Sequence, residues 1–290
     1  MKKQLCAAII LLLVALIVSQ NLVHAYSPDR DPEGRNLPYY LEDNISRYEA
    51  FQMNNPDIPF GKIVAYVNAG VDKSHYSDIV IVANPSDYTV FLSKNLALPS
   101  GYIPDDMVSL ASGELLRTKA AAAFENMKIA ARDEGLNFYV RSSYRSHGSQ
   151  VASYNLVADN YGVAGAEASV ARPGHSEHQT GLALDIMHKP GTTGPLTVQG
   201  FGDSEEFTWL LEHGHEYGFI LRYPEEYANI HGFVYEPWHW RYVGVWVAKR
   251  MKVYDIATFE EYYGKYLAPA VLAKLRALKP CHHSIIRMET

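Results

Sequence analysis

The chain has 290 residues, of which 48% are hydrophobic and 20% are charged, so the composition excludes a largely disordered protein. This length allows one large domain or two small ones with a substantial core. The formal net charge is −6 and no dense Lys/Arg tract occurs, which argues against a nucleic-acid partner.

Residues 1–25 have the pattern of a secretory signal peptide. Lys2 and Lys3 precede an apolar run over 5–18, which is shorter than the roughly 20 residues that a membrane span needs. The segment ends in Val-His-Ala, which predicts cleavage after Ala25. We therefore expect export to the extracellular side, the cell wall or the outer face of the cytoplasmic membrane. If the signal is not cleaved, residues 5–18 would serve as a membrane tether instead.

Cleavage would remove two lysines and no acidic residue, which takes the net charge from −6 to −8. It would also remove Cys6 and leave Cys281 as the one remaining cysteine. An exported chain without an intramolecular disulfide must be stabilised by its core or by a metal.

The first half of the chain predicts a polar arm followed by strands and helices. Residues 26–60 are rich in Pro, Asn and Asp and have the composition of a spacer arm. Short apolar runs that end in Asn, Gly or Pro predict strands over 62–70 and 78–85. Apolar residues at three- and four-residue steps predict a helix over 113–134 that stops at Gly135. A strand over 136–144 and a helix over 147–162 follow.

The second half begins with a strand over 181–187, which follows a turn at Gly181 and places Ala183 and Asp185 on one face. An amphipathic helix over 203–218 is next, with Asp203 or Ser204 as its N-cap. Strands are predicted over 219–224 and 234–244, and helices near 244–252 and 258–266.

This order of elements indicates an α+β fold, in which a small antiparallel sheet is packed by several helices. We expect one domain of catalytic size over 61–265. Residues 266–290 are expected to form a C-terminal tail.

Two separate stretches together suggest a metal site. His178 and Asp185 are seven positions apart, and a turn at Gly181 can bring both side chains to one point. Taken alone, such a pair is more typical of a structural hydrogen bond. The stretch "EPWHW" supplies His239 as a third ligand and Glu236 as a carboxylate that need not bind the metal. Three protein ligands with a fourth position for water are typical of catalytic zinc, and a separate carboxylate can take the proton of that water.

The backbone around Pro237 must then be irregular. Positions 236 and 239 of a regular strand point to opposite faces, so both side chains reach the metal only if the chain bends. Proline cannot donate a ladder hydrogen bond, which favours a bend over 236–238.

A third stretch, "RSSYRSHGSQ", places Arg145 and Gln150 where a strand meets the start of a helix. An arginine in this position is well placed to hold a carboxylate or an oxyanion.

The segments "SEHQTGLALD" and "EPWHW" match the S-x-H-x-x-G-x-A-x-D and E-x-x-H pair, and the chain thereby resembles the LAS zinc metallopeptidases. Within that superfamily it is most similar to the VanY-type D-alanyl-D-alanine carboxypeptidases, because "SSYRS", "YGFILRYP" and "EPWHWRYVG" occur in the same order. The resemblance covers roughly residues 61–262.

The resemblance implies a LAS/hedgehog-type fold and one Zn²⁺ ion held by His178, Asp185 and His239. It also implies that Glu236 activates the zinc-bound water as catalytic base and later donates the proton. Substrate contacts are carried over to Arg145, which would stabilise the carbonyl oxygen, and to Ser176 and Gln150. The implied reaction is hydrolysis of the C-terminal D-Ala from a peptidoglycan stem peptide, and we expect a monomer.

Alternatives within and outside the superfamily stay open. An L,D-carboxypeptidase or a peptidoglycan endopeptidase would share the zinc motif, and a non-catalytic zinc-containing wall-binding module is a third alternative, against which Glu236 argues. The serine-peptidase motif S-x-x-K and the zinc motif H-E-x-x-H are both absent. His175 is interpreted as a neighbour of the site, and His213 and His215 as helix surface.

Overall fold

The computed structural model describes residues 36–188, 198–270 and 272. The helices, in chain order, are α1 Ile45–Asn54, α2 Phe60–Asn68, α3 Thr118–Asp133, α4 His147–Ser169, α5 Val198–Gly202, α6 Glu205–His213, α7 Ala228–His231, α8 Val245–Val253 and α9 Phe259–Tyr262. Short 3₁₀ turns occur at Glu42–Asn44, Glu177–Thr180, Gly214–Tyr217 and Glu225–Tyr227, and a π-helical turn at Tyr263–Leu267. The strands are β1 Val80–Ile81, β2 Leu96–Ala97, β3 Met107–Ser109, β4 Leu115–Arg117, β5 Phe138–Ser142, β6 Ala183–His188, β7 Phe219–Leu221 and β8 His239–Tyr242.

The central sheet has four antiparallel strands in the order β5-β6-β8-β7. Its two inner strands, β6 and β8, pair with Asp185 directly opposite His239. This sheet and the surrounding helices confirm the α+β prediction.

One large buried cluster connects the sheet to α3 and α6. Leu184 and Ile186 of β6 are fully buried in this cluster, together with Phe124 of α3 and Leu210 of α6. The alternation of β6 therefore sends one set of side chains into the core. Asp185, on the opposite face of the strand, lines the cavity described below.

The strand predicted over 62–70 is wrong, because these residues form helix α2. Five consecutive residues of α2, from Ile63 to Val67, are buried. A short continuous apolar run suits a buried strand and a buried helix equally, so periodicity could not decide between them. The second predicted strand, over 78–85, is reduced to the two residues of β1, which pair in parallel with β2.

The range 26–60, interpreted as a spacer arm, contains helix α1 in its described part. Tyr48 of α1 is buried, and its hydroxyl donates to the Asn68 side chain on α2 over 2.7 Å. Residues 36–60 therefore pack against α2.

Other boundaries differ from the predictions by a few residues. The helix expected over 113–134 begins at Thr118, because residues 115–117 pair with β3 as strand β4. Helix α4 extends to Ser169, beyond a non-helical backbone at Gly162. Ser204 is the N-cap of α6 and accepts a hydrogen bond from the Phe207 amide over 3.2 Å.

The predicted signal peptide, the apolar run over 5–18 and Cys281 lie outside the described residues. Within residues 36–188 and 198–270, no helix has the length and apolar character needed to cross a membrane.

Candidate active site

Three elements bring the proposed metal ligands together. His178 lies on the 3₁₀ turn Glu177–Thr180, which ends at Gly181 with a left-handed φ of 65°, a conformation that favours glycine. The chain then enters β6, which carries Asp185, and the neighbouring strand β8 begins at His239. One possible ligand atom from each of these three residues lies within 4.8 Å of the others. Among the described residues, this is the one group with the composition and spacing of a metal site.

Hydrogen bonds orient both imidazoles. His178 Nδ1 lies 2.6 Å from the Ser143 carbonyl oxygen, so this nitrogen donates and Nε2 keeps its lone pair. His239 Nε2 lies 3.3 Å from the carboxylate of Glu177, which leaves the lone pair of His239 on Nδ1. The two free nitrogens each lie 3.3 Å from Asp185 Oδ1.

This arrangement fits a bound cation. Asp185 Oδ1 is buried and has no hydrogen-bond partner in the described structure. Three electron-pair donors that converge in a buried site are unfavourable unless a positive charge lies between them. Two histidines and one carboxylate are a common ligand set for catalytic zinc, and the second nitrogen of each histidine is held as such ligands require.

Burial and nearby charges raise the pKa values of two groups of the site. Burial raises the pKa of the Glu236 carboxyl to about 8. Burial lowers the pKa of His239, but the carboxylates of Asp185 and Glu177 outweigh this effect and raise the pKa to about 9. Without a metal, the site therefore holds protons that a cation would displace.

The backbone over 236–238 is irregular, as predicted. Pro237 and Trp238 form a turn before β8 begins, and the His239 amide donates to the Glu236 carbonyl over 3.1 Å. The turn brings Glu236 Oε2 to 3.7 Å from His239 Nδ1, beside the ligand group but not within it. A carboxylate in this position can exchange a proton with a molecule at the metal.

A cavity of about 560 Å³ opens onto these residues. Every site residue expected from the sequence lines it: His178, Asp185, His239, Glu236, Arg145, Ser176 and Gln150. Arg145 donates to Gln150 Oε1 over 3.0 Å and to Ser142 Oγ over 2.9 Å. Gln150 Nε2 donates to the Ala171 carbonyl over 2.7 Å, which fixes the side-chain amide of Gln150. The oxygen of the same amide accepts from Arg145 and thereby orients the guanidinium.

Comparisons with known proteins agree with this site. Residues 113–245 match the family model described as VanY, D-alanyl-D-alanine carboxypeptidase. YodJ of Bacillus subtilis (strain 168), a protein named as a carboxypeptidase, is 36% identical over 193 residues, which is 63% of this chain and 70% of YodJ. The chain belongs to the VanY family of D-alanyl-D-alanine carboxypeptidases.

Two solved structures extend the comparison. The LD-carboxypeptidase LdcB matches with a TM-score of 0.59 and 36% identity over 64% of this chain and 90% of LdcB. A VanY D,D-pentapeptidase mutant in complex with Zn(II) matches with a TM-score of 0.54 and 29% identity over 60% of this chain and 98% of its own. Together with the His-Asp-His group, these matches identify this VanY-family chain as a zinc carboxypeptidase with a single zinc ion.

The acidic partner of His239 is Glu177, a residue that was not predicted from the sequence. Glu177 is completely buried, and its Oε1 accepts from Arg222 Nε over 2.9 Å and from Arg241 Nη1 over 2.8 Å. Burial opposes ionisation of Glu177, but Arg241 and Arg222 outweigh it and hold its pKa well below the usual range. The glutamate was visible inside "SEHQTGLALD", yet nothing in a sequence tells that its side chain turns to His239 and not to solvent.

Arg141 also lines the cavity, and it too was not predicted from the sequence. In the pairing of β5 with β6, Val140 lies opposite Ile186 and Ser142 opposite Asp185, so Arg141 is the extra residue of a β-bulge. Bulges redirect side chains and are common beside active sites. Arg141 and Ser142 both line the cavity.

His175 and His213 lie outside the group of proposed metal ligands. His175 is buried outside the cavity lining, where its Nδ1 lies 2.8 Å from the Ser93 carbonyl oxygen and its ring meets Tyr76 edge-on. His213 is half-buried at the end of α6, near the carboxylates of Glu212 and Glu216. The stretch "CHH" at 281–283 lies outside the described residues.

Proposed function

We propose that this enzyme hydrolyses the C-terminal D-Ala from peptidoglycan stem peptides, with Glu236 as the group that moves the proton. The observation that carries the proposal is the position of Glu236. Its carboxylate is buried, lies 3.7 Å from one ligand nitrogen and faces the same cavity as the ligand group and Arg145.

A zinc ion held by His178, Asp185 and His239 would supply Lewis-acid polarisation of a water molecule and of the scissile carbonyl group. Glu236 takes one proton from the attacking water as the new C–O bond forms. When the C–N bond breaks, Glu236 returns this proton to the nitrogen of the leaving D-Ala. Burial raises the pKa of the Glu236 carboxyl, whereas the charges of His239 and Arg145 lower it. A cation at the ligand group would lower this pKa further and favour the ionised form that a base requires.

Arg145 is the group that we expect to bind the oxygen of the scissile carbonyl. Its guanidinium is fixed by Gln150 and Ser142 before any substrate binds. A donor fixed in advance stabilises the charge that develops on the oxygen without further reorganisation, and one such contact contributes about 10²–10³-fold to the rate. Ser176, which also lines the cavity, is positioned to contact the peptide.

Arg141 provides a reason to favour removal of a terminal residue over an internal cut. A carboxypeptidase must recognise a free carboxylate, and arginine binds carboxylates with two parallel hydrogen bonds. Arg145 already donates to two protein groups, whereas the bulge adds Arg141 as a second cation of the cavity. Arg141 is therefore our choice for the residue that binds the terminal carboxylate.

An L,D-carboxypeptidase is the second candidate function, and the similarity to LdcB, 36% identical with a TM-score of 0.59, supports it. Mass spectrometry of products from tetrapeptide and pentapeptide stems separates the candidates. Free D-Ala from the pentapeptide supports D,D cleavage, and release from the tetrapeptide alone supports L,D cleavage. An internal cut supports an endopeptidase, and zinc binding without any product supports a wall-binding module.

We also propose that the enzyme acts outside the cytoplasmic membrane. The Lys2–Lys3 pair, the apolar run over 5–18 and the cleavage pattern at Ala25 support export. Fractionation of expressing cells tests the proposal. Mature protein that begins at Tyr26 in the wall or medium supports it, and full-length protein in the cytosol contradicts it.

A further inference from the structure

A chain of buried charges runs from the metal ligand His239 to the C-terminal part of the fold. Glu177 accepts from His239, and Arg222 donates from Nε to the same carboxylate. The other edge of Arg222 donates to both oxygens of Glu260, over 3.0 and 2.8 Å. Glu260 lies on helix α9, outside the range 113–245 that the family model matches.

These side chains are almost completely removed from solvent. Glu177 is 1% exposed, Arg222 1%, Glu260 2% and Arg241 0%, so two acidic and two basic groups form a neutral buried set. Desolvation of such groups often equals or exceeds their mutual attraction, and apolar residues of similar volume can be equally stabilising. The stability of the fold therefore does not by itself explain four buried charges beside a metal ligand.

We infer that Glu260 is a positioning residue for the zinc ligand His239, acting through Arg222 and Glu177. The inference rests on zinc binding at His239, but not on the substrate proposed above. Glu260 fixes the plane of the Arg222 guanidinium by two parallel hydrogen bonds. Arg222 then fixes Glu177, and Glu177 fixes the ring and the tautomer of His239.

Loss of the Glu260 charge would weaken zinc binding in two ways. Arg222 would no longer be shared between two carboxylates, so its full attraction would act on Glu177 and make it a poorer acceptor for His239. In Glu260→Gln the guanidinium would also lose one of the two parallel hydrogen bonds that set its plane. Both changes make His239 a weaker and less oriented ligand.

The test measures zinc affinity by competition with a chromophoric chelator, without substrate, for wild type, Glu260→Gln, Glu177→Gln and the double variant. Residues that support metal ligands typically change metal affinity about 10–100-fold, so we expect 10–100-fold for Glu177→Gln and about 10-fold for Glu260→Gln. Because Glu260 acts through Glu177, its substitution should have no further effect in the Glu177→Gln background.

Glu261→Gln is the matched control. Glu261 is the neighbouring residue on α9 and similarly buried, but it pairs with Lys265 and Lys62, and the hydrogen bonds and ion pairs of Arg222 in the described structure do not include it. Its substitution should leave zinc affinity unchanged. If Glu260→Gln fails to fold, Glu260→Asp keeps the charge, shortens the side chain and enters the same comparison.

Wild-type affinity in the Glu260 variants would overturn the inference. Additive losses in the double variant, or an equal loss in Glu261→Gln, would also overturn it, because both indicate a general effect on the fold. The absorption spectrum of the Co²⁺-substituted protein gives a second readout, and the Glu260 variants should shift its d–d bands. If D-Ala is not released while these differences persist, the proposed function fails and the inference stands.

Discussion

Replacement of Glu236 by Gln separates proton transfer from metal binding. Glutamine keeps the size of the side chain but cannot take a proton from water. Glu236 lies outside the ligand group, with Oε2 3.7 Å from His239 Nδ1. We therefore expect the variant to keep one zinc ion per chain and to lose most of its turnover.

The expected loss follows from the role of the carboxylate. General acid–base catalysis contributes about 10²–10⁴-fold, which corresponds to about 2.7–5.4 kcal/mol of activation free energy. The loss should fall on kcat and leave KM largely unchanged, because Glu236 interacts with the attacking water and the leaving nitrogen.

The assay combines D-Ala release from a pentapeptide with zinc analysis after gel filtration. Glu177→Gln is the comparison, because Glu177 contacts the opposite nitrogen of His239. That variant should lose zinc affinity first. If Glu236→Gln emerged without zinc, Glu236 would be a ligand, and the assignment of the base would be wrong.

Four further predictions concern the metal, the substrate and the core. His239→Ala should bind no stoichiometric zinc, and added zinc should no longer raise its Tm. Zinc binding to wild type at pH 7 should release about one to two protons, because the pKa of His239 is raised to about 9 and that of Glu236 to about 8. The metal would replace the proton on the ligand His239, and its positive charge would lower the pKa of the neighbouring Glu236. Calorimetry in buffers of different ionisation enthalpy checks this, and release near zero would contradict it. Arg141→Ala should raise KM for a stem peptide with a free C-terminal carboxylate and reduce the preference of the enzyme for this peptide over its C-terminal amide. Leu184→Ala, at a fully buried position, should lower the free energy of unfolding in urea by about 2–5 kcal/mol.

The parts of the site that local sequence determines were predictable. A single glycine indicates the turn at Gly181, and a single proline indicates the bend at Pro237. The turn positions His178 relative to Asp185, and the bend positions Glu236 relative to His239. The pairing of Asp185 with His239 could be expected once both strands were assigned to one sheet.

The parts that depend on distant packing were not predictable. Helix α2 contains a continuous apolar run that would equally suit a buried strand. What decides between helix and strand is packing against α1 and against the π-helical turn, and the π-helical turn is distant from α2 in the sequence. The ion pair of Arg222 with Glu260 joins residues 38 positions apart in separate elements. The bulge at Arg141 depends on the register of β6, which no property of β5 alone indicates.

The contact between Gly264 and α2 affects which shortened forms of this chain keep their native packing. A Cβ atom at Gly264 would overlap the carbonyl group of Ala65, so the π-helical turn and α2 touch backbone to backbone. Asn68 of α2 also donates to the Gly264 carbonyl over 3.2 Å. The segments before and after the family-matched range are therefore in direct contact. Gly264, where they meet, is only four residues beyond Glu260. A protein trimmed to residues 113–245 would keep every zinc ligand but lose both α2 and Gly264, together with Glu260, one of the two acidic residues that Arg222 binds.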